Sequence, residues 1–216
     1  VRTPPTAARH PFDVVVLAAS AGGIRALRSV VAGLPATFPT PVLAVQHRAP
    51  GPDDLLTDLL RNSGTVPVHR AAPGPLAAGV HVLPPRCAAD LTPEGWLALR
   101  PCDSGRCADL TMESAAGAFG PRVLAAVLTG RLTDGAAGVR AVRRAGGRVL
   151  AQDPADAEAP GMPSAALATG CVEHVVPLRL LAPALIAYAM APGAADLLTV
   201  PVSPWARLTP GRVVPA

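Results

Sequence analysis

Lysine is missing from this chain of 216 residues, so all 19 basic side chains are arginine. A phosphate-cradling P-loop needs a lysine, which excludes that class of nucleotide site. Aromatic residues make up only 3%, and the arginines are scattered, only Arg143 and Arg144 being adjacent. A net charge of +4 therefore comes without the basic stripe and stacking side chains that nucleic-acid binding uses. No uninterrupted apolar stretch approaches the roughly 20 residues of a membrane span. The first ten residues mix Arg, Thr and Pro rather than forming a basic-then-apolar leader. The expectation is a soluble, cytoplasmic protein with no membrane insertion. Cys102 and Cys107 stand five apart while Cys87 and Cys171 are remote, which matches no zinc spacing. His10, His47, His69, His81 and His174 are equally unclustered. No metal and no cofactor are expected, and in a reducing compartment the cysteines should be free thiols.

What the chain does have is hydrophobic residues, at 50%, enough to bury one substantial core. One domain is expected over residues 12–191, with a disordered lead at 1–11 and a poorly ordered tail at 192–216. The organising stretch is Val14-Val15-Val16-Leu17-Ala18-Ala19-Ser20-Ala21-Gly22-Gly23. Four consecutive large apolar residues suit a parallel strand covered on both faces, and the paired glycines allow a tight turn into a helix. Ser20 then stands at the carboxyl end of the strand, where open α/β sheets place their ligands. Helix-terminal amides beyond it would favour a negative oxygen. Two simpler readings compete. A dinucleotide fold wants G-x-G-x-x-G, but Ala18 and Ser20 occupy the first two glycine positions and the next apolar run ends in Gln46-His47 rather than an acid. Ser20 as a plain helix cap remains open.

The rest of the chain repeats the unit. Ile24, Leu27, Val30, Val31 and Leu34 recur at helical spacing up to Pro35. Residues 42–45 form a second buried strand that delivers His47. A βαβ unit places both strand ends on one edge, so Ser20 and His47 can be neighbours. After Pro50-Gly51-Pro52, a helix starting at Asp53-Asp54 should carry Leu55, Leu56, Leu59 and Leu60 on one face. Residues 66–100 break into short strands, a partly antiparallel excursion in which Trp96 and Leu99 are expected to pack. A helix over 109–119, a strand over 123–128, a helix over 136–145, a strand over 147–152, a short helix ending near Gly170, a strand over 172–176 and a helix over 178–190 follow. The third strong strand leads through Thr129-Gly130 to Asp134, whose bland reading is an N-cap. Residues 153–163 are a candidate mobile lid. The fold class is α/β: a doubly wound, mostly parallel sheet flanked by helices.

Three strand ends thus supply a serine, a histidine and an aspartate on one edge. Serine needs a base, imidazole titrates near neutrality, and a buried carboxylate fixes its tautomer. Ser20, His47 and Asp134 are the candidate catalytic set.

These residues resemble the catalytic domain of the chemotaxis protein-glutamate methylesterases, the CheB family. The likeness covers roughly residues 13–178. It is carried by Ala19-Ser20-Ala21-Gly22-Gly23, by Gln46-His47, and by Leu128-Thr129-Gly130 through Asp134-Gly135-Ala136-Ala137-Gly138, with support from Val82-Leu83-Pro84, Ala151-Gln152-Asp153 and Gly161-Met162-Pro163. The resemblance implies a serine esterase that hydrolyses glutamate methyl esters on chemoreceptor helices, releasing methanol, and that in some members deamidates receptor glutamines. It also implies an oxyanion site at the backbone amides of Ala21 and Arg131, the latter at a position usually methionine. Members commonly read Thr-Gly-Met-Gly-x-Asp-Gly; Leu132 replaces the second glycine and is expected to close off a φ > 0 conformation. The usual His-Arg-Pro-Ser-x-Asp becomes Ser104-Gly105-Arg106-Cys107-Ala108-Asp109, and a family histidine near Ala88 is missing. These changes are expected on the receptor-docking side, so the alternative is a weakened enzyme or a non-catalytic scaffold in a sensory complex. The receiver domain of full-length members has no counterpart in these residues, which suggests a stand-alone relative or a separated catalytic domain.

Overall fold

In the computed structural model, residues 11–51 and 55–190 are described. Residues 1–10 of the expected lead at 1–11, the helix start at Asp53-Asp54 and the tail at 192–216 lie outside the described residues. The elements run β1 (Val14–Ala19), α1 (Gly23–Gly33), β2 (Val42–Gln46), α2 (Leu56–Arg61), β3 (Val68–Arg70), β4 (Gly74–Pro75), β5 (Val80–Val82), β6 (Cys87–Leu91), β7 (Trp96–Pro101), α3 (Cys107–Phe119), a single 3-10 turn, β8 (Val123–Val127), α4 (Ala136–Arg144), β9 (Arg148–Gln152), α5 (Gly161–Ala168), β10 (His174–Val176) and α6 (Leu178–Met190).

A seven-stranded sheet in the order β10-β9-β8-β1-β2-β5-β3 carries the fold, and its paired strands are all parallel. All six β1 residues are buried. Val15, Leu17 and Ala19 face a core shared with Leu27, Val30 and Val31 of α1 and Leu181 and Leu185 of α6. Val14, Val16 and Ala18 face the other core, with Met112 of α3 and Val139 and Val142 of α4. Both faces are apolar, so the strand reads as a continuous run rather than an alternation. Each large side chain so buried contributes roughly 1.5–3 kcal/mol.

The excursion divides differently from its sequence pattern. β3 and β5 join the parallel sheet, while β4, β7 and β6 form a separate antiparallel sheet of three strands. Trp96, expected to pack, is 51% exposed where β7 begins. On α1 the buried stripe is Gly23, Ala26, Leu27, Val30 and Val31, so Ile24, which lies off that stripe, is 43% exposed. On α2, one and a half turns long, only Leu56, Thr57 and Leu60 are buried, leaving Leu55 and Leu59 exposed. Among the described residues no helix is long and apolar enough to cross a membrane.

The chain leaves β1 for β2 on one side and returns to β8 on the other. Strand order therefore reverses at β1, and the crevice at its carboxyl end is where such sheets bind ligands.

Candidate active site

Ser20 and His47 both emerge at that crevice, one residue past the last register pair of β1 and β2, Ala19 with Gln46. The ladder continues through them: the His47 amide donates to the Ala19 carbonyl at 3.0 Å, and the Ser20 amide donates to the Thr129 carbonyl at 3.0 Å. Ser20 thus sits between the ends of β2 and β8. Neighbouring strands lie about 4.8 Å apart, which fixes the spacing of the two side-chain roots. Gln46, buried at the end of β2, fastens this corner further. Its Nε2 donates to the carbonyls of Ser20 at 2.7 Å and of His47 at 3.0 Å.

Asp134 arrives from the loop after β8. Its Oδ2 lies 2.7 Å from Nε2 of His47, with the imidazole side chain 26% exposed and the carboxylate 4%. The contact is close but the ring N–H is not in line with it; free enzymes commonly align such bonds only when substrate binds. With Nε2 facing the acid, Nδ1 is the nitrogen left to face outward. The described hydrogen bonds give Ser20 Oγ no partner.

The bland reading of Asp134 is a cap for the helix that follows it. The carboxylate does something else: Oδ2 accepts from the Ala108 amide and Oδ1 from the Asp109 amide, each at 2.9 Å, at the start of α3. Segment 104–109, expected on the docking side, therefore holds the acid in place through its last two residues. Ala88 is fully buried under α3 and cannot belong to a docking surface.

Two glycines allow the turns at the crevice. Gly22, at φ 75°, takes a left-handed conformation before α1. Gly130 packs so tightly that a Cβ there would run into the Met162 side chain and come within 2.9 Å of the Ser20 Cβ. Leu132, expected to exclude positive φ, adopts φ 65° and is 82% exposed. A left-handed leucine costs about 1–2 kcal/mol, which the surrounding loop bears. The described hydrogen bonds give the Ala21 and Arg131 amides no acceptor.

Residues 153–163, a candidate lid, are tied down instead. The Gly130 amide donates to the Ala159 carbonyl at 2.8 Å, the Met162 amide to the Gly130 carbonyl at 2.8 Å, and the Ala159 amide to Thr129 Oγ1 at 2.8 Å. Gln152, a buried polar residue closing β9, accepts from the Thr129 amide and donates to Asp156 Oδ1 at 2.7 Å. Its place at a strand end, within the Ala151-Gln152-Asp153 segment of the family resemblance, was the signal of that role in the sequence.

The four cysteines are free, and burial above all, with Cys102 beside it, pushes the Cys107 thiol far up. A thiol so held is inert as a nucleophile. Among the described residues no three His, Cys, Asp or Glu side chains gather where they could hold a metal ion.

A family model described as CheB methylesterase matches residues 15–185. Protein-glutamate methylesterase FrzG of Myxococcus xanthus is 35% identical over 86% of this chain and 59% of its own length. A protein-glutamate methylesterase/protein-glutamine glutaminase of Myxococcus xanthus strain DK1622 is 41% identical over 78% of this chain and 50% of its own. The chain thus spans about half the length of the curated relatives it matches. The crystal structure of the Thermotoga maritima CheB methylesterase catalytic domain superposes with a TM-score of 0.75 at 28% identity, covering 81% of this chain and 97% of that one.

Proposed function

The chain belongs to the CheB methylesterase family, and we propose that it is a cytoplasmic serine hydrolase that cleaves glutamate methyl esters on chemoreceptor helices, giving glutamate and methanol. Relatives named both as methylesterases and as glutaminases support a second activity on receptor glutamines. The observation that carries the reading is the register of β1 and β2, which sets Ser20 beside His47, with the Asp134 carboxylate 2.7 Å from the imidazole.

In this reading Ser20 Oγ attacks the ester carbonyl while His47 Nδ1 takes the hydroxyl proton. Asp134 steadies the resulting imidazolium through Nε2, so the ring is used the opposite way round from the usual serine-protease arrangement. The Ala21 and Arg131 amides receive the oxyanion; as backbone donors they do not depend on the side chain at 131. Methanol leaves with the proton from Nδ1, and water, deprotonated by the same nitrogen, releases the glutamate product.

Incubation with receptor carrying methyl-glutamate should release methanol, and Ser20→Ala and His47→Ala should each stop it. No release by the native protein with its receptor present would sink the proposal. A fluorophosphonate probe separates this reading from a non-catalytic scaffold: labelling at Ser20 that vanishes in Ser20→Ala and His47→Ala is the expected result.

A further inference from the structure

Neither α3 nor α4 is capped by its own N-cap side chain: Arg106 and Gly135 make no capping hydrogen bond. The first amides of a helix lack intrahelical partners and, when buried, must find acceptors elsewhere. Here each helix takes its acceptor from the other. Asp134, one residue before the α4 cap, accepts from the second and third amides of α3, those of Ala108 and Asp109. Asp109, third residue of α3, accepts at Oδ1 from the third amide of α4, that of Gly138, at 2.8 Å and from Gly135 at 2.9 Å. The Gly135 amide also donates to Asp134 Oδ1 at 2.9 Å, so one N–H lies between the two carboxylates. Both acids are buried, at 5% and 7% exposure. Arg106 faces the remaining Asp109 oxygen at 3.3 Å and also reaches Glu113. Gly138 permits the approach: a Cβ there would meet the Met112 Cβ at 2.7 Å and the Asp109 Cα at 3.1 Å.

We propose that Asp109 is a positioning residue for the ester-cleaving site: by clasping Gly135 and Gly138 it fixes the loop and rotamer that aim the Asp134 carboxylate at His47. The inference rests on the reading of Asp134 as the acid of the site. Asp134 Oδ1 is taken up by the Asp109 and Gly135 amides, and Oδ2, which also accepts from Ala108, is the oxygen that faces the imidazole, an orientation the Asp109 side chain secures by holding Gly135 and Gly138. Without it, the Gly138 amide loses its acceptor, the Gly135 amide is left with Asp134 alone and pulls it toward α4, and the carboxylate is no longer held against the ring. Misplacement on the order of 1 Å in a site of this kind costs roughly a hundredfold.

The test uses the full chain, with steady-state hydrolysis of a p-nitrophenyl ester and the low-field proton resonance of the His47 imidazole as readouts. Asp109→Ala should lower kcat by roughly ten- to a hundredfold with KM within about twofold, and should broaden or remove the resonance. Asp109→Asn keeps an oxygen for Gly135 and Gly138 and should recover most of kcat and the resonance. Asp109→Ala indistinguishable from wild type, or Asp109→Asn as impaired as Asp109→Ala, overturns the proposal. Should Asp109→Ala fail to fold, Asp109→Asn against Gly138→Ala decides: Gly138→Ala wedges the clasp apart and should cost kcat where the asparagine does not. Asp134→Asn tells the two readings apart. Loss there with no loss in Asp109→Ala defeats the clasp alone, whereas full activity in Asp134→Asn defeats the acid assignment and the clasp together.

Discussion

Leu132 shows how much one backbone angle can cost with nothing visible returned in packing. Its side chain is 82% exposed, so the left-handed conformation is not offset by burial. The leucine strain of about 1–2 kcal/mol exceeds the roughly 0.4–1 kcal/mol by which a glycine would favour the unfolded chain. Leu132→Gly is therefore expected to raise stability by about half to one kcal/mol, read as a higher urea midpoint at constant m-value. Gln46 is the opposite case, a buried side chain that joins the carbonyls of Ser20 and His47. Gln46→Leu keeps the volume but removes the donor of the His47 carbonyl and leaves the Ser20 carbonyl with the Gly23 amide alone. A loss of about 1–3 kcal/mol in denaturant unfolding is expected, together with slower fluorophosphonate labelling of Ser20.

Elements meet at this site through glycines, and there the tolerance is smallest. A methyl group on Gly23 would strike the Gln46 side chain and stand 2.7 Å from the Ala19 Cβ, so α1 could no longer start against the end of β1. Gly23→Ala should destabilise by about 1–3 kcal/mol, the usual cost of overpacking, and thermal unfolding would measure it. The pattern of elements was largely legible beforehand. Strands ending at Ser20, near His47 and near Thr129 stood out because a run of Val, Leu and Ala that stops at a polar residue marks a doubly covered strand. The antiparallel sheet was harder to read, since β4 has two residues and the hairpin strands are half-exposed, too short for a period to register.

At the scale of the whole molecule, a pair of imidazoles stands on the sheet away from the crevice. His69 and His81 stand opposite each other on β3 and β5, with ring centroids 5.6 Å apart. Burial, and secondarily the charge of His69, lowers the His81 pKa from 6.5, while its Nε2–H bond to the Ala77 carbonyl at 2.8 Å acts in the opposite sense. A folded-state pKa below the unfolded one means the unfolded chain takes up a proton that the native protein refuses. The contribution is complete above the unfolded value near 6.5 and is lost as pH falls through it toward the folded value. Urea unfolding at pH 7.5 and 5.5 should show a decline that is smaller in His81→Leu; an equal decline in both would assign it to other groups.

From its sequence this protein was bound to form a parallel sheet with a serine, a histidine and an aspartate in the loops along one edge, because apolar runs, glycine turns and helix periods are local and each is written in a few consecutive residues. Tertiary structure decided that Nε2 of His47 faces the acid, that Asp134 and Asp109 cap each other's helices, and that Leu132 accepts a left-handed backbone. The mutual capping depends on hydrogen bonds between residues some 26 positions apart, which exist only after α3 and α4 have packed together, and the His47–Asp134 contact joins two separate strand ends. No local pattern of residues encodes them.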